Sequence, residues 1–330
     1  MPRIARNQAM AEKTPQETLA EKVKAGKAVP LLSSGVDNDL ILQGHQALVQ
    51  EYAERIAYPW ADQHDLAHIA QVRSVTHFPT DFFAMRKEYL DIIKSRLFNI
   101  AEDEGVPQEL RDDAEAQFDE MDFTALAKAL GYPHFDDVPD HPLLLLANLD
   151  LPIYLTTSYY TVLEAALTRT GKRPRTEFCR WHQRLESPPS GYTGDYQPTR
   201  EEPLVYHLYG LDTYPESLVL TEDDSLEFLV AISRDMSRET DRIPKRVRQA
   251  LSDSSLILLG YDLHSWEFRT LFWGLIKCRP PIKQENVSVQ IAADDKEKPY
   301  LDTYLNEARF RVVWGDVHQY IRELYQLVGA

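Results

Sequence analysis

Four short polar segments carry the residues best suited to hold a ligand. Each follows an apolar run, and they span residues 33–37, 156–160, 207–210 and 260–265. If the runs are parallel strands, the segments meet at the carboxyl edge of one sheet, where open α/β sheets bind their ligands. The four segments therefore form one candidate site. The alternative is that they are ordinary strand-to-helix turns capped by Ser, Thr or Asp.

The apolar runs that precede these segments predict a parallel sheet. They are nearly continuous in apolar residues and alternate with segments of helical periodicity, which is typical of strands covered on both faces. We predict an α/β fold that is doubly wound, mostly parallel and Rossmann-like. The runs span residues 28–36, 151–158, 203–210, 254–262, 286–295 and 310–316.

The segments outside these runs predict the domain organisation. Residues 1–27 are polar and rich in lysine, and we expect an N-terminal arm there, either frayed or in the form of a surface helix. Residues 28–330 are predicted to form one domain. Within it, helical periodicity predicts an inserted or flanking helical module at about 40–145, and the segment at about 170–202 is expected to be a loop insertion.

Composition limits the class of partner. The chain of 330 residues has a net charge of −16 and a pI near 5.1, so we expect no direct binding of nucleic acid. Two cysteines fit a reducing compartment better than a disulfide framework. No apolar run approaches the length of a membrane span. We expect a cytoplasmic protein with no membrane partner.

In their order along the chain, the four polar segments resemble motifs of the sirtuin-like NAD-hydrolase domain family, in its prokaryotic antiphage-defence branch. The segments read "LLSSGVD", "TTSYY", "HLYG" and "GYDLHSWEFR". The family has a glycine loop, a "TTN[YW]D" segment, a "HG" pair and a "G[YT]S" segment in this order. The resemblance extends over roughly residues 28–327 and includes "PESLVLTEDDSLEFL" at 215–229.

The resemblance implies cleavage of the nicotinamide–ribose bond of NAD, which is then a substrate. It implies a glycine loop at a helix N-terminus that holds the pyrophosphate through backbone N–H groups. The implied catalytic positions are Ser158, His207 and Tyr209. The implied nucleotide-binding positions are Ser33, Ser34, Gly35, Asp37, Thr156, Thr157, Tyr160, Gly210, Gly260 and Asp262.

The active-site motifs depart from the family pattern at six positions, one of which is Ser33, the first small residue of the glycine loop. Ser158 stands at the asparagine position, Tyr160 at the aspartate position and Tyr209 at the histidine of the "HG" pair. Asp37 stands at the terminal serine of the glycine loop, where a carboxylate would oppose a pyrophosphate. Asp262 replaces the serine of "G[YT]S", and it could instead accept hydrogen bonds from a ribose diol.

Two of the substitute residues have alternative roles. His207 lies two residues before Tyr209, on the same face of a strand, so it could reach the cleft from one step deeper. The alternative is a core histidine that is hydrogen-bonded inside the sheet. Ser158 could position a water molecule, or it could cap the helix that follows.

Two hypotheses of function remain open. The first is an NAD+ hydrolase effector, gated by homo-oligomerisation or by a sensor protein of a defence system. The second is a catalytically inactive subunit that binds NAD, ADP-ribose or a related nucleotide, or that serves in assembly. No metal is expected, because His64 and His68, although spaced to share a helix face, have no clear third ligand nearby.

Overall fold

A seven-stranded, all-parallel sheet forms the centre of the fold. The computed structural model describes residues 14–76, 81–186, 190, 195–233, 242–277, 286–290 and 296–329; Cys278 and the end of the run at 286–295 lie outside them. The strand order is β3-β4-β2-β1-β5-β6-β7. The strands are β1 Ala28–Leu32, β2 Ile153–Thr156, β3 Arg175–Phe178, β4 Leu204–His207, β5 Ser255–Tyr261, β6 Asn286–Gln290 and β7 Phe310–Trp314.

Helices cover the sheet, as a doubly wound fold requires. They are α1 Pro15–Lys24, α2 Ser34–Ile41, α3 His45–Arg55, α4 Leu66–Thr76, α5 Phe82–Asp103, α6 Gln108–Glu115, α7 Phe123–Ala129, α8 Pro142–Ala147, α9 Val162–Arg169, α10 Glu222–Ser233, α11 Lys245–Asp253, α12 Trp266–Leu271, α13 Lys298–Glu307 and α14 Val317–Gly329. A π-helical stretch, Phe272–Lys277, continues α12. Two 3₁₀ turns span Gln183–Glu186 and Pro215–Ser217. None of the helices in the described residues is long and apolar enough to cross a membrane.

The predicted fold class is confirmed, and burial explains why the sequence revealed it. Every residue of β1, β2, β4 and β5 is buried, so these strands read as continuous apolar runs. The chain leaves β1 in one direction to build β2, β4 and β3, and in the other to build β5, β6 and β7. The topological switch point therefore lies beside β1, at the ends of β1 and β5.

Strand β3 lies in the segment that the sequence predicts to be a loop insertion. It pairs with β4 at the edge of the sheet, and the side chains of Arg175 and Thr176 are not buried. An edge strand needs no continuous apolar run, because solvent covers part of its surface. The sequence "RTEF" therefore gave no strand signal.

Between β1 and β2, helices α3 to α7 lie within residues 40–145 of the predicted helical module, whereas α2 lies mostly before it and α8 extends past its end. The longest, α5, is capped by Asp81, whose side chain accepts hydrogen bonds from the backbone N–H groups of the first turn. A buried ion pair joins α5 to α10, with 2.6 Å between Arg86 Nη2 and Asp224 Oδ1. Near the carboxyl edge of the sheet, the ring of Tyr89 on α5 lies 6.3 Å from that of Tyr159. The module thus forms one wall of the edge at which the polar segments meet.

The described part of the predicted N-terminal arm contains a packed helix. Thr14 and Glu17 form a capping box at the start of α1, in which each side chain accepts the other residue's backbone N–H. Leu19, Ala20 and Val23 share the buried face of the helix. This apolar stripe explains why a segment with a lysine-rich composition packs onto the domain.

Candidate functional site

The loops after β1 and β5 are joined at the switch point. The Ser33 hydroxyl caps α2 by accepting the Gly35 amide N–H at 3.2 Å, and it donates to the Gly260 carbonyl at 2.7 Å. Gly260 has a φ of +77°, and a Cβ atom there would lie 2.6 Å from Val36 Cγ2. Both the backbone conformation and the close approach of α2 therefore require glycine at this position.

Three hydrogen-bond donors converge on one oxygen at the start of α2. Glu267 Oε1 accepts the Ser34 amide N–H at 3.0 Å, the Ser34 hydroxyl at 3.1 Å and the Thr157 hydroxyl. The Ser34 amide also points at Thr157 Oγ1, at 3.0 Å. Ser34 is the first residue of the helix, so its N–H carries the positive end of the helix dipole. This is an arrangement that binds anions.

Tyr209 lies beside this cluster and is held by α12. Its hydroxyl donates to the Glu267 carbonyl at 3.3 Å and is hydrogen-bonded to the Thr270 hydroxyl. Burial raises the pKa of Tyr209, so the phenol stays protonated at neutral pH. Gly210 follows with a φ of +97°, and a Cβ atom there would lie 2.3 Å from the Ser217 carbonyl oxygen.

A cleft of about 230 Å³ opens at this point between the sheet edge and the helical module. We call it the acidic cleft, because the described residues that line it include no lysine or arginine. Ser34 and Tyr209 form part of its wall. Its carboxylates are Asp62, Asp65, Asp262 and Glu267, and its histidines are His45, His64 and His264.

A second cavity, of about 330 Å³, lies on the β7 side of the same loops. Val36 and Asp39 of α2 line it, as do Gly260 and the residues on either side of the start of α14, Asp316 and His318 among them. The two cavities share the β1–α2 and β5–α12 connections. Ser34 and Asp262 line the acidic cleft, whereas Val36 and Gly260 line the second cavity.

His207 is a buried histidine with both ring nitrogens engaged. Nδ1 donates to the Ser158 carbonyl at 2.8 Å, and Nε2 lies 2.9 Å from Glu164 Oε1. Burial alone would lower the pKa of the imidazole, but Glu164 and the Ser158 carbonyl raise it above its ordinary value. The imidazole has no exposed surface. It does not line the acidic cleft.

Asp37 completes this buried cluster. Its carboxylate is hydrogen-bonded to the Ser158 side chain, and burial raises its pKa from 3.8 to about 6 against the opposing effects of Ser158 and His207. In the described part of the chain, Asp37 Oδ1 has no hydrogen-bond partner. The cluster has the residue types of a nucleophilic triad, but the Ser158 hydroxyl faces Asp37, whereas His207 meets the Ser158 backbone. The geometry is therefore not that of a triad.

The structure brings some of the sequence-predicted site residues together and separates others. Those at the acidic cleft or the start of α2 are Ser33, Ser34, Gly35, Thr157, Tyr209, Gly260 and Asp262, whereas Gly210 packs against Ser217. Asp37, Ser158 and His207 form the buried cluster behind them. Thr156 accepts the Ser158 amide N–H at 3.0 Å. Tyr160 packs on Phe123, with 4.1 Å between the ring centroids, and lines a different cavity under the helical module.

Four further residues were not singled out by the sequence. Glu267 and His264 follow the Gly260 turn, and His45 begins α3. Glu164 lies in "TVLEAAL", and a glutamate on the buried face of an otherwise apolar helix was a usable signal of a buried ion pair.

His68 of the spaced histidine pair is hydrogen-bonded to Glu222 at 3.1 Å. Within the described residues, no group of three His, Cys, Asp or Glu side chains could hold a metal ion.

A comparison with known protein families gives a match over the larger part of the sheet. None of the curated proteins matches the chain. A family model described as "SIR2-like domain" matches residues 152–313, which extend from the start of β2 into β7. The match excludes β1 and the Ser33 loop, although both belong to the same sheet. The fold and the family match agree: residues 152–313 are similar to SIR2-like domains, which is consistent with a sirtuin-like family.

Proposed function

We propose that the protein binds NAD at the carboxyl edge of its sheet and hydrolyses the nicotinamide–ribose bond. The observation that carries the binding proposal is the convergence of the Ser34 amide, the Ser34 hydroxyl and the Thr157 hydroxyl on one point at the start of α2. A pyrophosphate oxygen takes donors of this kind at the N-terminus of a helix. SIR2-like domains are NAD-related, which supports NAD as the nucleotide.

The two cavities provide room for an extended dinucleotide. They lie at the two connections that meet at the switch point, with Ser34 on one side and Val36 on the other. A dinucleotide whose pyrophosphate lies at Ser34 would extend its two nucleoside halves into the two cavities. Dinucleotides bind in this way at the switch point of doubly wound folds.

The charge of the acidic cleft favours hydrolysis. When the nicotinamide–ribose bond breaks, its electron pair leaves with nicotinamide and positive charge develops on the anomeric carbon. Water then bonds to this carbon and releases a proton, giving ADP-ribose. Asp62, Asp65, Asp262 and Glu267 surround the cleft, and carboxylates stabilise such oxocarbenium-like charge. They also favour NAD+, whose nicotinamide ring is cationic, over its neutral reduced form.

A second candidate is a subunit that binds the nucleotide without cleaving it. The observation that favours it is the burial of Ser158 and His207, which are hydrogen-bonded to each other and do not line the acidic cleft. Tyr209, at the position of the family's histidine, is a protonated phenol held by α12. Neither arrangement supplies a base at the cleft.

One experiment separates these functions. Purified protein is incubated with NAD+ while nicotinamide and ADP-ribose are followed by chromatography, and ADP-ribose binding is measured by calorimetry. Thr157→Val removes a converging donor, whereas Thr157→Ser retains the hydroxyl as the matched control. Binding that is weakened in Thr157→Val alone supports the site. Turnover supports the hydrolase, and binding without turnover supports the second candidate; absence of both would overturn the proposal.

We further propose that this activity serves antiphage defence in the cytoplasm and is gated by homo-oligomerisation or by a sensor protein. The support is the resemblance of the four motifs to that branch of the family. Gating by self-association predicts that nicotinamide release per protein molecule rises with protein concentration. A constant specific rate over a hundredfold range, with an unchanged mass by light scattering, would exclude this form of gating.

A further inference from the structure

The anion-binding point at the start of α2 is already filled by a side chain of the same protein. Glu267 Oε1 receives both donors of Ser34 and the hydroxyl of Thr157. Glu267 comes from α12, on the opposite side of the β5 turn, so this contact also ties α12 to α2. A carboxylate oxygen and a phosphate oxygen are both anionic acceptors and take the same donors.

We infer that Glu267 is an internal competitor of the nucleotide. It holds the Ser34 and Thr157 donors when the site is empty, and it must release them before a pyrophosphate oxygen can take its place. The inference rests on the proposed binding of a nucleotide at Ser34. Two anionic groups cannot share these donors, because their repulsion in a partly buried site is costly.

The Glu267 side chain has a place to which it can move. It lines the acidic cleft, and its rotatable bonds allow the carboxylate to swing away from Ser34 into that space. The backbone at this position is held by Tyr209, whose hydroxyl contacts the Glu267 carbonyl and Thr270. Release can therefore occur by side-chain rotation while Tyr209 keeps α12 in position.

The contact has opposite effects on the empty and the occupied protein. In the empty protein it supplies hydrogen bonds to a charged group, which stabilise the fold. In the occupied protein it is broken, so the free energy of breaking it is subtracted from the free energy of binding. Removing the carboxylate should then lower the stability of the ligand-free protein and raise its affinity for the nucleotide.

The test compares four proteins by calorimetry with ADP-ribose, in parallel with their melting temperatures without ligand. Glu267→Ala removes the competitor, and Glu267→Gln keeps its shape without the charge. Asp62→Asn is the matched control, because it removes one negative charge from the same cleft without removing the acceptor of Ser34 and Thr157. We expect the dissociation constant to fall about tenfold or more in Glu267→Ala, to fall less in Glu267→Gln and to fall least in Asp62→Asn, which lowers only the negative charge of the cleft.

The outcomes separate this inference from the proposed function. Tighter binding in both Glu267 variants, with a lower melting temperature without ligand, supports the competitor. An equal gain in Asp62→Asn would show that cleft charge alone is responsible and would overturn it. Unchanged or weaker binding in the Glu267 variants would also overturn it, while wild-type binding still upheld the nucleotide site. If neither the wild-type protein nor the Glu267 variants bind, both proposals are wrong.

Discussion

The imidazole of His207 and the carboxylate of Glu164 form a buried ion pair, 2.9 Å apart, behind the carboxyl edge of the sheet. The pair joins β4 to α9, and the Ser158 carbonyl engages the other ring nitrogen. A histidine in these surroundings holds the fold together. Its position explains why a residue with the chemistry of a base does not reach the acidic cleft.

The first prediction concerns the stability that this pair provides. His207→Ala leaves the Glu164 carboxylate buried without its charged partner, so we expect the free energy of unfolding to fall by about 3–5 kcal/mol. Denaturant unfolding measures this loss. In a Glu164→Gln background the same substitution should be less harmful, because no buried charge is left behind. Equal losses in the two backgrounds would contradict the pairing.

The second prediction concerns pH. Burial raises the pKa of Asp37 from 3.8 to about 6. Between about pH 4 and 6 the unfolded chain has lost this proton while the folded protein keeps it, so the free energy of unfolding falls as the pH rises. Asp37 alone accounts for a fall of about 3 kcal/mol over this range. Asp37→Asn should flatten the curve, measured by denaturant unfolding at a series of pH values.

Asp119→Asn is the control for the pH measurement, because Asp119 is exposed on the helical module. It should leave the curve unchanged. His207 acts in a separate window. Its folded-state pKa is raised above 6.5, so the stability due to its charge is fully present below pH 6.5 and is lost as the pH rises from there through the folded-state pKa. A wild-type curve that rises between pH 4 and 6 and is insensitive to Asp37→Asn would contradict the assignment.

The third prediction concerns the turn after β4. Gly210→Ala combines a positive φ with a Cβ atom 2.3 Å from the Ser217 carbonyl oxygen, so the backbone must shift. We expect a loss of more than about 3 kcal/mol. Gly105→Ala is the matched control, because its φ is also positive, at +74°, but its Cβ atom would meet nothing within 4 Å. Gly105→Ala should therefore lower the free energy of unfolding by only about 1–2 kcal/mol. Similar melting temperatures for the two variants would show that the steric clash is relieved.

The fourth prediction concerns the attachment of the helical module. Arg86→Ala leaves Asp224 buried and unpaired, and we expect it to lower the free energy of unfolding by about 3–5 kcal/mol. The neighbouring Lys87 forms an exposed pair with Asp119 at 3.5 Å. Lys87→Ala should therefore cost less than about 1 kcal/mol. Denaturant unfolding of both variants tests the contrast, and a large loss in Lys87→Ala would contradict it.

The sequence predicted the sheet well wherever strands are buried on both faces. The run at 254–262 became β5, because a strand covered on both sides must be apolar throughout. Strand β3 was missed for the opposite reason, since an edge strand such as "RTEF" can be polar. The meeting of the polar segments at one edge of the sheet followed from the predicted topology alone. The hydrogen bond from the Ser34 amide to the Thr157 hydroxyl, which joins two of these segments, is an example.

The direction of individual side chains was harder to predict. His207 and Tyr209 were expected to share a strand face, but β4 ends at His207 and the chain turns before Tyr209. Their side chains consequently reach different surroundings. Glu267 was missed because its role depends on a meeting of α12 with α2, two helices more than 200 residues apart, which no local pattern reveals.

The position of β1 has a consequence for how the domain can be divided. The residues that match the family begin at 152, yet β1 lies between β2 and β5 in the sheet and pairs with both. A fragment cut at 152 would have two unpaired strand edges in its centre and would be prone to aggregation. Co-expression with a separate fragment that contains β1 and ends at residue 151 should restore solubility through strand complementation. The boundary of the family match is thus a boundary of sequence similarity and not of a folding unit.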